Sequence, residues 1–151
     1  MPHPVVYRDD LDELVAEWER TDTKKIDNGQ CARLPQAYTS VGHTSRWQRG
    51  ERVLDLSTLA PGTVIANFKL VDKKWRYPNE EGYHAALFHG FSDIGKDAKG
   101  KPTAIMMVDQ WVGRAPGKRH VITPTAAQMK GNPKLLKASN RASEFYVVVV
   151  Q

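Results

Sequence analysis

Leu11, Leu14, Val15 and Trp18 recur at helical spacing with acidic residues between them, and Asp9 or Asp10 stands where an N-cap is needed. The pattern predicts an amphipathic helix over about residues 9 to 20. Thr21 to Gly29 is polar and turn-rich and ends in Asn28-Gly29. Ala32, Leu34, Ala37 and Tyr38 then predict a second helix from Cys31 to Thr39. Pro35 fits that helix only in its first turn, which puts Cys31 at the helix start.

Beyond this point the pattern shifts to that of strands. Thr44 to Gly50 reads as a short helical or irregular piece anchored by Trp47, and Ala60-Pro61-Gly62 is a turn before the strand Thr63 to Phe68. Tyr83 to His89 and Thr103 to Gln110 are apolar runs of strand length, joined by a glycine- and lysine-rich excursion, Gly90 to Pro102. His120-Val121-Ile122 extends the sheet, Thr123 to Asn140 has no clear period, and Glu144 to Val150 is a β-branched strand. Helices come first and strands follow on short links. The expected fold is therefore α+β, with N-terminal helices packed on a mostly antiparallel sheet of four to six strands. A chain of 151 residues suits one domain, residues 1–151.

Composition narrows the function without naming it. The chain is 40% hydrophobic and 26% charged, ordinary for a globular protein. It has no run of about 18 apolar residues, so no membrane span is expected. Met1 to Val5 lacks the basic-then-apolar pattern of a secretory signal. A net charge of +5 favours an anionic partner: nucleic acid, an acidic wall polymer or an acidic protein. The basic residues are scattered, with short clusters at Lys73-Lys74-Trp75-Arg76 and Arg114 to Arg119, and no nucleic-acid motif accompanies them. Nucleic acid is the weaker reading.

The only cysteine, Cys31, can make neither an internal disulfide nor a thiolate zinc cluster. A solitary cysteine ordinarily reads as a small buried hydrophobe, but this one sits in polar company in Asp27-Asn28-Gly29-Gln30-Cys31. Amide hydrolysis by a thiol needs a thiolate, a proton shuttle and donors for the tetrahedral oxyanion. At a helix head, Cys31 would gain from the dipole and direct its N–H toward the oxyanion. Gln30, Asn28 and Tyr38 are equal candidates for the second donor. Of five histidines, His84 opens an apolar strand at a sheet edge, while His89, of opposite parity, faces the other side. Taken alone, His84 reads as a strand-end hydrogen bonder. Asp109 ends another apolar strand, where burial without a partner is costly. It reads either as a solvated or arginine-paired carboxylate, or as the acceptor for His84 Nδ1–H, with Gln110 the alternative orienter.

The ordered set carries a resemblance. Gly29-Gln30-Cys31 resembles the nucleophile segment of CHAP and NlpC-type peptidoglycan amidases of the papain-like group. Pro61-Gly62-Thr63-Val64-Ile65 resembles their Pro-Gly-Asp turn and strand, with Thr63 in place of the aspartate. Tyr83-His84-Ala85-Ala86-Leu87 resembles their Gly-His-Val-Ala strand, with Tyr83 in place of the glycine, and Val108-Asp109-Gln110-Trp111 is similar to the segment supplying the third residue. The compact basic form also resembles amidase effectors that bacteria inject into rivals by type VI secretion.

That resemblance implies a papain-like cysteine amidase that cuts the peptide portion of peptidoglycan through a thioester, with no cofactor or metal. Cys31, His84 and Asp109 would be catalytic, and Gln30, Tyr83, Gln110 and Trp111 would line the substrate groove. It further implies cytoplasmic synthesis, action in a target cell's periplasm, and an immunity protein as partner. Related acyl chemistry (a deamidase or a transpeptidase) and a non-catalytic basic binding module remain the alternatives.

Overall fold

In the computed structural model, which describes residues 1–151, the first amphipathic stretch forms helix α1, Leu11–Arg20. Asp10 caps it, accepting the Glu13 N–H at 3.0 Å, a contact that typically stabilises a helix by about 1 kcal/mol. Leu11, Val15 and Trp18 are buried along one face, and the Trp18 indole donates to Tyr38 Oη at 3.1 Å. The second helix is shorter than its pattern suggests: α2 is Arg33–Tyr38. Cys31 lies in the turn before it, where Arg33 N–H donates to the Gln30 carbonyl. Pro35 occupies the first turn, where a missing N–H leaves no helical bond unmade.

The remaining chain builds a seven-stranded sheet and a separate two-stranded ribbon. The sheet comprises β1 (His3–Pro4), β2 (Gln48–Arg52), β3 (Val64–Ala66), β6 (Ala85–Phe91), β7 (Ile105–Trp111), β8 (Arg114–Val121) and β9 (Tyr146–Val150). The ribbon is β4 (Lys69–Val71) with β5 (Lys74–Arg76). All pairings are antiparallel, and the order is β1-β9-β3-β6-β7-β8, with β2 also on β9. The α+β, papain-like expectation holds, but the sheet has seven strands rather than four to six. The extra ones are β1, two residues long, and β2, Gln-Arg-Gly-Glu-Arg, which has no apolar alternation to detect. After α1 and α2, the only other α-helix is α3, Ala126–Gly131, capped by Thr125 and Gln128.

Both sheet faces are covered, and strand parity divides the core in two. Val64, Ala66, Ala85, Leu87, Val108 and Val148 pack with Leu11, Val15, Trp18 and Leu34 on the helical side. Ile65, Ala86, Phe88, Ile105, Met107 and Val147 pack with Val53, Leu54, Ala142 and Phe145 on the other. His89 falls on the helical side, as its parity predicts, and its Nε2 lies 2.8 Å from Asp12 Oδ1 of α1. The turn before β3 depends on Gly62: its φ is +91°, and a Cβ there would lie 2.2 Å from the Tyr7 carbonyl oxygen. No helix is long and apolar enough to cross a membrane.

Candidate active site

The end of β3, the start of β6 and the end of β7 meet the turn before α2, and the candidate groups gather there. His84 immediately precedes β6. Its backbone is fixed by Asn67, the residue after β3: Asn67 N–H donates to the His84 carbonyl, and Asn67 Oδ1 accepts the His84 N–H, both at 2.9 Å. The Asn67 carboxamide also donates to the carbonyls of Ala138 (3.2 Å) and Glu144 (2.8 Å). A fully buried amide with every polar atom engaged thus sets the histidine's position.

The imidazole Nε2 of His84 is 2.8 Å from Asp109 Oδ2. The contact is through Nε2, not the Nδ1 expected from sequence, and Nδ1 is the nitrogen left for the Cys31 sulfur. Asp109 is fully buried, yet it is compensated: Arg119 Nε donates to Oδ2 at 2.8 Å and Arg114 Nη1 to Oδ1 at 2.7 Å. The carboxylate thus contacts both a histidine, through Nε2 and not the expected Nδ1, and a pair of arginines. Burial would push its pKa up, but His84 and then Arg119 outweigh that and hold it below the usual carboxylate range.

Cys31 Sγ lies 3.2 Å from Tyr77 Oη. Burial raises the thiol's proton affinity, and contacts with His84, Tyr77 and the Ala85 N–H more than reverse this, so the pKa falls to about 7. Burial lowers the His84 pKa, while Asp109 and then Cys31 raise it by more. For Tyr77, burial and the neighbouring sulfur both push the phenol up. Between a weakened thiol and a strengthened phenol, Tyr77 is the donor. His84, Tyr77 and the Ala85 N–H therefore make this thiol more acidic; α2 is six residues long and starts two residues later.

Two of the second-donor candidates, Gln30 and Asn28, are exposed, and Asn28 Oδ1 accepts the Gln30 N–H at 3.0 Å; Tyr38 is partly buried and accepts the Trp18 indole N–H. The Gln30 side chain is exposed, and the Cys31 N–H donates to no group of the chain. Both can face a substrate. Gln110, expected in the groove, is fully buried. Its Oε1 accepts the Ile26 N–H (2.8 Å) and its Nε2 donates to the carbonyls of Ile26 (2.9 Å) and Gln30 (3.0 Å). It ties down the nucleophile turn and orients no histidine. Its place on β7 explains this: Gln110 shares the helical face with Val108, opposite Asp109.

Trp111 does reach the rim. A register shift between Asp109 and Trp111 on the β7–β8 pair leaves the carboxylate buried and the indole 40% exposed. The indole meets the His84 ring edge-on at 5.9 Å, with the guanidinium carbons of Arg114 and Arg119 at 4.6 and 5.1 Å. Tyr83 is half-buried in the turn leading to His84. Tyr77, Asn67, Arg114 and Arg119 were not singled out from sequence; only the arginines carried a signal, as part of a basic cluster.

Residues 14–148 match the model of the family described as domesticated amidase effector 2. Among solved structures, a type 6 secretion amidase effector 2 is 32% identical and superposes with a TM-score of 0.64. The match covers 85% of this chain and 87% of that one. No curated protein matches the sequence.

Proposed function

The chain belongs to the domesticated amidase effector 2 family, which hydrolyses peptidoglycan, and we propose that Cys31, His84 and Asp109 carry that amidase reaction. The supporting observation is a buried carboxylate 2.8 Å from one ring nitrogen of His84, beside a thiol whose pKa that same histidine helps lower to about 7. His84 Nδ1 takes the Cys31 proton, and the thiolate attacks the carbonyl carbon of a peptide amide. The carbonyl oxygen becomes an oxyanion facing the Cys31 N–H, with the exposed Gln30 amide as second donor. The imidazolium returns its proton to the amine nitrogen, the C–N bond breaks and a thioester remains. Water then gives a proton to His84 and attacks the thioester, releasing a carboxylate and restoring the thiol.

Tyr77 donates to the sulfur when it is a thiolate, and Asp109 keeps His84 in the tautomer that presents a bare Nδ1 to the thiol. Trp111 and Tyr83 form the groove wall. Residues 1–151 act as one amidase unit on the peptide of a bacterial wall, outside the cell that makes them, and a cognate immunity protein blocks the cleft. The test is digestion of purified sacculi: the unaltered chain should release new amino and carboxyl ends in equal number without an added acceptor amine. Cys31→Ala should release neither while melting like the parent. Cleavage that survives Cys31→Ala would overturn the assignment.

A further inference from the structure

Both ends of the β4–β5 ribbon stand on the groups just described. Asn67, which brackets the His84 backbone, precedes β4 by two residues; Tyr77, whose hydroxyl meets the Cys31 sulfur, follows β5 directly. The ribbon is outside the main sheet, and the residues flanking its two strands belong to the site. Its turn residues, Asp72 and Lys73, have φ of 50° and 67°. That conformation costs a non-glycine side chain roughly 1 kcal/mol or more. The ribbon holds it with no glycine in place.

What the ribbon displays is not what a merely solvated hairpin needs. Leu70 and Trp75 are cross-strand partners, 53% and 42% exposed. The Arg49 guanidinium, reaching from β2, sits 3.9 Å from the Trp75 ring centroid. Lys73, Lys74 and Arg76 are exposed, and neither they nor Arg49 take part in an ion pair, whereas Lys69 is tied to Glu80. Trp75 shares its ribbon face with Leu70 and meets Arg49, while Lys74 and Arg76, of opposite parity on β5, lie on the other face; with Asp72 the one acid of the ribbon, these exposed like charges repel one another. An anionic chain with apolar segments would relieve that repulsion.

We propose that the β4–β5 ribbon, with Arg49, is a substrate-docking arm that binds free carboxylates of the wall peptide while Trp75 packs on its apolar portion. The inference rests on the amidase reading and adds what the rim recognises. Because both ends of the ribbon touch the site, a peptide held there is aligned with the Cys31 sulfur. The arm acts on binding and leaves the bond-breaking steps to the residues beneath it.

Co-sedimentation with purified sacculi, stripped of attached polymers, tests it in the inactive Cys31→Ala chain. Adding Lys73→Glu and Lys74→Glu should weaken binding roughly tenfold and flatten its salt dependence. Trp75→Ala should weaken it without altering the salt dependence. Sacculi whose carboxyls have been amidated should bind the Cys31→Ala parent as poorly as native sacculi bind the charge-reversed variant. Equal binding by parent and charge-reversed chains, indifference to amidation, or no sacculus binding by the parent would each overturn the arm. The first result would leave the ribbon to an acidic protein. Binding that follows the expected pattern in a protein that never cleaves sacculi would sink the amidase reading and spare the arm.

Discussion

His84 Nε2 and Arg119 Nε converge on one oxygen of Asp109, each at 2.8 Å, while Arg114 takes the other oxygen at 2.7 Å. The carboxylate therefore binds both the proposed catalytic histidine and two arginines, and one substitution should report on both roles. Asp109→Asn should lower kcat/KM on the order of 10³-fold, because the histidine loses its charged orienter. It should also destabilise the fold by about 3 kcal/mol, since two arginines lose their buried counter-charge. Sacculus digestion and urea unfolding measure the two effects. Arg119→Gln, which removes only one of the two guanidinium partners, should cost less on both counts.

Cys31 should react with iodoacetamide with a midpoint near pH 7, the value its surroundings give it, and well below an ordinary thiol. His84→Ala should move that midpoint upward. Stability should follow the shifts in sign. Asp109 is held low in the fold, so its contribution is present above the normal carboxylate range and is lost as pH falls through its folded pKa. His84 is raised, so its contribution is full below its ordinary value and fades as pH rises through the folded one. Melting temperature against pH should therefore fall on the acid side, and Asp109→Asn should flatten that limb.

Tyr77→Phe isolates the sulfur's hydroxyl partner. The ring remains packed on Trp47, whose centroid is 4.8 Å away, so the melting midpoint should shift by no more than about 1 kcal/mol in equivalent free energy. The alkylation midpoint should rise, because the thiolate loses a donor. A profile identical to the parent's would show that Tyr77 contributes packing alone.

Asn67→Ala strands the buried His84 N–H and two part-buried carbonyls, those of Ala138 and Glu144. An unsatisfied buried group costs about 1–3 kcal/mol, so a loss of several kcal/mol is expected by chemical denaturation. At temperatures where the variant stays folded, its Cys31 alkylation profile should shift toward that of a free thiol, since His84 is no longer held against the sulfur.

The parts of this molecule that were legible in its sequence are those with a repeating signal. The α1 stripe, the Pro61-Gly62 turn, and the apolar runs of β3, β6, β7 and β9 each announce their element and, by parity, their face. Cys31, His84 and Asp109 were legible because each breaks its surroundings: a thiol among polar residues, and charge-bearing groups at the ends of apolar strands. Strand β8 was foreseen only at His120 to Val121, because Arg114 to Arg119 is polar and becomes a strand by pairing with β7. The ribbon and β2 escaped notice for the same reason. The groove position that the resemblance implies for Gln110 does not fit its burial, which follows from its place on the helical face of β7 against Ile26 and Gln30. Tyr77 and Asn67 lie in loops, and only tertiary contacts reveal their partners.

Strand β9 pairs with β1, β2 and β3 together, and in its register His3 meets Val150. Contacts spanning nearly the whole chain form late and slowly, because the intervening loop must close first. Until they do, β3 rests on β6 alone, and the Glu144 carbonyl just before β9 is not yet in place to hold the Asn67 carboxamide that seats His84. Completion of the cleft is thereby tied to the closing of the sheet by its most distant strands.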